Sequence, residues 1–165
     1  MSRRFVPGTQ IEIVRERKLG AFKHALFDFD GTVSLLREGW QEVMAPVMLE
    51  SVVGDTEPTP EIEAAVREYI EESTGINTIL QMEHLVEMVR RFGRVPEERI
   101  LDAYGYKKIY NDRLMQVVNE RIARLERGDL SVEQATLRGA TDFVRRLHDR
   151  GLHMYVFSGT DQPDV

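Results

Sequence analysis

The sequence predicts an α/β fold in which a long all-helical stretch is inserted between two strand–loop units. Two short apolar runs, 25–30 and 152–157, are each closed by Gly, Ser or Thr residues, which is typical of buried strands. Between these runs the apolar residues recur at helical spacing. The order of strand, helices and strand therefore favours an α/β core that carries a helical insertion.

The first elements along the chain are expected to be β-structure. Ile11, Ile13 and Val14 form a short β-favouring run, and Gly20 marks a turn before the 25–30 strand. We predict that the two runs pair as a hairpin.

Helices are expected to fill the middle of the chain. Pro46 lies inside the first pattern, where its ring and missing amide are expected to kink or divide the helix. Gly105 is expected to interrupt the fourth pattern, and a fifth helix opens at Gly139 and closes at Gly151. The first pattern begins at about residue 34, and the next three cover about 61–73, 77–92 and 97–127.

Composition excludes several classes of protein. The chain has 165 residues, of which 42% are apolar and 30% charged, so it can bury a core. Its net charge of -6 argues against a nucleic-acid binder, and no apolar run approaches the roughly 20 residues that span a bilayer. The absence of cysteine excludes disulfides and thiolate chemistry and fits a reducing compartment. We expect a cytoplasmic protein without nucleic-acid or membrane partners.

The most informative stretch follows the first strand. Asp28 and Asp30 alternate with Phe27 and Phe29, so the two carboxylates should project to the same side of the strand. Carboxylates at the carboxyl end of a buried strand are costly unless a cation or a substrate uses them, and ligands bind at that edge of open α/β sheets. The following Gly31 permits a tight turn.

At these residues the chain resembles the haloacid dehalogenase superfamily of phosphohydrolases. The first signature of the superfamily, Asp-x-Asp-Gly-Thr, is matched at 28–32, and Ser158 ends a hydrophobic strand as in the second signature. The resemblance implies a Rossmann-like core with a parallel sheet, formed by 1–33 and 132–165, and an all-helical cap at 34–131.

The resemblance also implies a role for each matched position. Asp28 would be the nucleophile that forms an aspartyl-phosphate, and Asp30 would protonate the leaving oxygen and then activate water. The Asp28 carboxylate and the Asp30 backbone carbonyl would hold Mg²⁺. Ser158 would hydrogen-bond the transferring phosphoryl group. The other positions assigned to phosphate binding are Gly31, Thr32, Gly159 and Thr160.

Two elements of the superfamily have no match. These are a Lys downstream of the second signature and a later acidic pair that completes the magnesium site; only 161–165 follow Thr160. The core residues suffice for about two βα units at roughly 30 residues each, so the sheet is expected to be incomplete and the chain truncated. We therefore expect self-association through an exposed sheet edge, and the activity of this chain on its own stays open.

The resemblance implies a magnesium-dependent phosphatase that acts on a small phosphorylated substrate, such as a sugar phosphate. Asp30 favours phosphoryl chemistry, since the dehalogenating branch generally lacks an Asp there. Two alternatives stay open. One is a phosphomutase of the same superfamily, and the other is an inactive binding module, which the missing Lys and acidic pair would favour.

Several further residues are weaker candidates for substrate contact. Arg37 and Trp40 follow the first signature, and Gln81 lies on a predicted cap helix, where each could face the site. Solvation of Arg37 and packing of Trp40 are the favoured interpretations. Lys107 and Lys108 are expected to be surface residues, because lysines are mostly exposed.

Overall fold

The computed structural model describes residues 3–15, 20 and 22–158. Over these residues the chain combines five α-helices with a two-stranded parallel sheet, so the predicted mixture of helix and sheet is confirmed. In chain order the elements are β1 (His24–Asp28), α1 (Trp40–Val53), α2 (Pro60–Glu72), α3 (Thr78–Phe92), a short 3-10 helix (Glu97–Arg99), α4 (Ala103–Glu126), α5 (Ala140–Asp149) and β2 (His153–Phe157).

The sheet joins the two ends of the described chain. β1 and β2 pair in parallel, with His24 opposite His153 and Asp28 opposite Phe157. A parallel pair needs a crossover connection, and here α1–α5 supply it. The carboxyl ends of both strands therefore lie at the same edge of the sheet.

The predicted pairing of the Ile11–Val14 run with β1 is wrong. Glu12 instead forms an antiparallel bridge with Phe5, and the Ile13 amide donates to the Arg4 carbonyl at 2.7 Å. Gly8, with φ of 76°, permits the tight turn between these segments. Pairing with an immediate neighbour in sequence closes a shorter loop, and this costs less conformational entropy.

Capping residues explain where the helices begin. The Asn77 side chain accepts from the Ile79 amide at 2.9 Å, and the Asp102 side chain accepts from the Gly105 amide at 2.8 Å. Pro60 occupies the first turn of α2, where no amide donor is needed. The helices predicted at 61–73 and 77–92 are confirmed to within one residue at each end.

Two predicted helix interruptions differ in the structure. α1 runs through Pro46 without being divided, and the fourth pattern breaks before Asp102 rather than at Gly105. A Cβ on Gly105 would lie 3.0 Å from Leu101 Cβ, so this glycine lets the residue before α4 pack closely against the first turn of the helix. The first helix also begins at Trp40 rather than near 34.

The hydrophobic core lies among α1–α4. The Tyr106, Tyr110 and Leu114 side chains of α4 close it against the first three helices. None of the residues of α5, all of which the structure describes, is buried. No helix in the described part of the chain is long and apolar enough to cross a membrane. The largest fully buried side chains are Met44, Met48, Ile62, Met82, Leu85, Val47, Val52 and Val89.

Two backbone contacts fix where the helical stretch leaves and rejoins the strand units. The Leu35 amide donates to the Ala135 carbonyl at 2.8 Å, and the Leu137 amide donates to the Val33 carbonyl at 3.0 Å. These contacts lie near the predicted cap boundaries. The division into a core and a cap stays a prediction.

One face of the sheet is exposed. Leu26, Tyr155 and Phe157 share this face, and their exposed fractions are 69%, 51% and 65%. Phe143 of α5 contacts Phe27 on the opposite face, with ring centroids 6.2 Å apart. Parallel sheets are generally covered on both faces, so this apolar face is unusual and favours association.

We expect the chain to self-associate through this exposed face. Light scattering after size exclusion should give a mass that exceeds the 19.1 kDa of one chain and rises with concentration. Leu26→Lys should shift the chain toward the monomer, because a charge on the face opposes its burial. Leu80→Lys, at an exposed leucine of α3, is the matched control. A wild-type chain that remains monomeric across the concentration range would show this expectation to be wrong.

Candidate functional site

The candidate site lies where β1 and β2 end. Asp28 is the last residue of β1, Asp30 lies two residues after it, and Ser158 directly follows β2. The Ser158 hydroxyl lies 3.2 Å from Asp30 Oδ2, although 128 residues separate them in sequence. The structure therefore brings together the two segments in which the sequence places catalytic residues. Gly159 and Thr160, also predicted to bind phosphate, lie outside the described residues.

Hydrogen bonds hold the Asp28 carboxylate and shape the turn that follows. The Thr32 hydroxyl donates to Asp28 Oδ2 at 2.6 Å. The Gly31 amide donates to the Ser34 carbonyl at 2.8 Å, and Gly31 has φ of 75°. Within the described part of the chain, no atom outside its immediate neighbours lies within 4 Å of a Cβ built on Gly31, so the positive φ is what favours glycine there. The predicted phosphate binders Gly31 and Thr32 thus make local bonds that order the loop.

Arg37 brings a positive charge to the second carboxylate. Its Nε lies 3.7 Å from Asp30 Oδ1, and only 17% of its side chain is exposed. The favoured interpretation of Arg37 as a solvated residue is therefore wrong. The guanidinium orients Asp30 and adds a cation beside the strand ends.

A second arginine holds the loop that carries Arg37. Arg121, on α4, places Nη1 2.7 Å from the carbonyl oxygens of both Leu36 and Glu38. These carbonyls flank Arg37 on each side. Arg121 therefore ties the helical stretch to the loop after β1 and limits where Arg37 can move.

A cavity of about 320 Å³ opens between the strand ends and the helices. Asp28 and Asp30 both line it. Trp40 lines the cavity and also packs against the helical core, so its packing is confirmed and its contact with a substrate stays a prediction. The remaining lining residues are Arg37, Thr74, Gly75, Ile76, Thr78, Gln81, Lys107, Tyr110, Asn111 and Leu114.

Lys107 is not the surface residue that the sequence predicts. Only 8% of Lys107 is exposed, and it lines the cavity, whereas the adjacent Lys108 is exposed and pairs with Asp112 at 2.7 Å. Gln81 is also buried and lines the cavity; its Nε2 donates to the Ser73 hydroxyl at 3.0 Å. Two polar side chains, one from α3 and one from α4, are therefore buried while they line the cavity.

A helical stripe explains why sequence reasoning missed most of this wall. Lys107, Tyr110, Asn111 and Leu114 are spaced as i, i+3, i+4 and i+7, which places them on one face of α4. The available signal in the sequence was a set of polar residues on the same helix face as the buried core positions. To interpret this signal, one must know which face of α4 points to the strand ends.

The donor set at the strand ends fits a magnesium ion that keeps several waters. Mg²⁺ is commonly bound through one or two carboxylates together with substrate phosphate oxygens. The Asp28 carboxylate and the Asp30 backbone carbonyl are hard oxygen donors of this kind and would be the groups that hold the ion. Among the residues that the structure describes, no group of three or more His, Cys, Asp or Glu side chains forms a complete metal site.

Comparison of the chain with protein families, with curated proteins and with solved structures gave no match.

Because a phenol is buried in this cavity, the free energy of unfolding should change with pH in the alkaline range. Burial raises the pKa of Tyr110 to about 12; the charge of Arg37 opposes this rise and that of Asp30 adds to it. A raised pKa means that the folded state favours the protonated phenol. The resulting stability is therefore fully present below the ordinary pKa of 10.0 and is lost as pH rises toward about 12.

We predict that Tyr110→Phe removes this part of the pH dependence. Between about pH 9 and about pH 11.5 the wild type should lose up to about 2 kcal/mol more unfolding free energy than the variant. Urea unfolding at both pH values measures the difference. Tyr69 and Tyr106, whose pKa values burial also raises, supply a residual dependence in both proteins. Equal pH dependence of the two proteins would contradict the prediction.

Proposed function

We propose that this chain hydrolyses phosphate monoesters through an aspartyl-phosphate on Asp28, in the manner that its resemblance to the haloacid dehalogenase superfamily implies. The observation that carries the proposal is the 3.2 Å contact between Ser158 and Asp30. A contact between the residue that follows β2 and a carboxylate of the 28–32 segment supports the proposal, because the phosphoryl chemistry requires these groups to lie close together. A Rossmann-like core with a helical cap is part of the same proposal.

The proposed reaction has two steps, each with a role for the two carboxylates. In the first, an Asp28 carboxylate oxygen attacks phosphorus, the bond from phosphorus to the leaving oxygen breaks, and Asp30 gives that oxygen its proton. In the second, Asp30 takes a proton from water, the water oxygen attacks phosphorus, and the bond to Asp28 breaks. Inorganic phosphate leaves, and both carboxyl groups return to their starting protonation states.

Residues around the pair would stabilise the charge on the phosphoryl oxygens. The Ser158 hydroxyl, already near Asp30, can turn to donate to one of these oxygens. The Arg37 guanidinium offers a positive charge on the same side. Thr32 orients the Asp28 carboxylate through its 2.6 Å hydrogen bond. This bond reduces the number of conformations that the nucleophile samples before attack.

Magnesium, when bound, would supply positive charge that lowers the repulsion between the phosphoryl oxygens and Asp28. The Asp28 carboxylate and the Asp30 backbone carbonyl are the residues that would hold it.

We predict that Asp28→Asn abolishes release of phosphate from p-nitrophenyl phosphate in the presence of Mg²⁺. The amide keeps the shape of the side chain but cannot act as the nucleophile. Asp30→Asn should lower turnover by ~10²–10⁴-fold, because general acid–base catalysis is lost. Asp142→Asn, at an exposed carboxylate of α5, is the matched control and should retain the wild-type rate.

Three results would count against the proposal. These are absence of phosphate release by the wild type, a wild-type rate in Asp28→Asn, and the same loss in the control variant. Inorganic phosphate and p-nitrophenol should be measured together, and their equal release is expected of a hydrolase. With a sugar monophosphate, an isomeric product without free phosphate would indicate a mutase instead.

A further inference from the structure

We propose that a groove between α1 and α2 binds a basic amphipathic helix of a partner protein. This α1–α2 groove has a volume of about 660 Å³. Among the residues that the structure describes, it shares only Thr74 with the lining of the cavity at the strand ends. The inference goes beyond the proposed function and does not depend on it.

The shape of the groove is the first argument. α1 contributes Gln41, Ala45 and Leu49, which are spaced as i, i+4 and i+8 and so lie on one side of the helix. α2 contributes a stripe of the same length, from Glu63 to Glu71. Each stripe is about 12 Å long, since a helix rises by about 1.5 Å per residue. The groove is therefore long enough to contact about two turns of a third helix.

The apolar floor of the groove is the second argument. Val66 and Ile70 are buried beneath it, whereas Ala45 and Leu49 are half-buried and Pro46 is exposed. Exposed apolar surface with a polar rim is typical of interaction sites. An amphipathic helix covers such a groove with apolar side chains at i, i+3, i+4 and i+7.

The charge of the rim is the third argument, and it indicates the kind of partner. Among the groove residues that the structure describes, Glu42, Glu63 and Glu71 are acidic and only Arg67 is basic. Within the described chain none of these three glutamates forms an ion pair, whereas an arginine of α4 pairs with Glu50 of α1. Lysine or arginine residues beside the apolar face of a partner would complement these carboxylates, and acidic residues there would be repelled.

The rest of α2 extends the acidic surface beyond the groove. Glu61, Glu68 and Glu72 are also exposed on this helix. A surface of this charge disfavours nucleic acids and anionic membranes. A second copy of this chain, with its net charge of -6, is also less suited to the groove than a basic partner is.

Binding of model peptides to the full chain tests the proposal. The first probe is a fluorescein-labelled helical peptide of about four turns, with leucines at i, i+3, i+4 and i+7 and lysines beside them. The second probe has glutamate in place of each lysine, and the third has the lysines and leucines of the first in an order without the apolar stripe. Fluorescence anisotropy should give the first probe a Kd roughly 10-fold or more below that of either other probe.

Reversal of the rim charge should reverse the preference between the first two probes. The double variant Glu63→Lys, Glu71→Lys should bind the lysine probe roughly 10-fold more weakly and the glutamate probe more tightly. Glu83→Lys combined with Glu120→Lys is the matched control, because it changes the net charge equally at exposed residues outside the groove. This control should keep the wild-type preference.

A change in the floor tests the apolar contact separately. Ala45→Gln places a polar amide on the floor and leaves the rim charge unchanged, so it should weaken binding of the lysine probe. Thermal unfolding followed by circular dichroism establishes that each variant is folded before its affinity is compared.

Four results would overturn the proposal. These are failure of the wild type to bind the lysine probe, equal binding of the probe without the stripe, equal losses in the rim and control double variants, and a wild-type dimer that the rim variant dissociates in light scattering. The last result would identify a second copy as the occupant. Phosphate release is not a readout here, so failure of the proposed function leaves this test unaffected.

Discussion

The parallel pairing of β1 with β2 is the interaction on which the candidate site depends. It places Phe157 opposite Asp28 and so sets Ser158 beside Asp30. A slip of one residue would turn alternate side chains to the other face and separate these groups. The backbone contacts of Val33 and Leu35 with 135–137 assist the pairing, because they bring the two chain segments together just before the helical stretch begins.

The helical stretch contributes the rest of the site from a separate hydrophobic core. Its buried side chains pack among themselves, and its link to the strand ends is polar. Arg121 holds the carbonyls on each side of Arg37, and Arg37 in turn meets Asp30. The relative position of the cavity walls therefore depends on a few charged contacts. The proposed chemistry uses the strand end.

The sequence predicted local features well and features that depend on distant packing poorly. The strand before Asp28 and the helices at 61–73 and 77–92 follow from local apolar periodicity, and they are confirmed. The predicted pairing of the Ile11–Val14 run was wrong, because the apolar pattern alone does not determine which of two neighbouring segments the run pairs with. The prediction that Lys107 is exposed was wrong, because it followed from residue type alone, whereas the path of α4 past the strand ends determines its burial.

The most direct test of the central claim is to find the phosphoryl group on the chain. Asp30→Asn is incubated with p-nitrophenyl phosphate and Mg²⁺, quenched in acid, digested and analysed by mass spectrometry. We expect the mass of one phosphoryl group on the peptide that contains Asp28, because attack can occur with a good leaving group while hydrolysis of the intermediate is slow. The label should be absent from the double variant that also carries Asp28→Asn. A phosphoryl group at another residue, or none at any residue, would contradict the account.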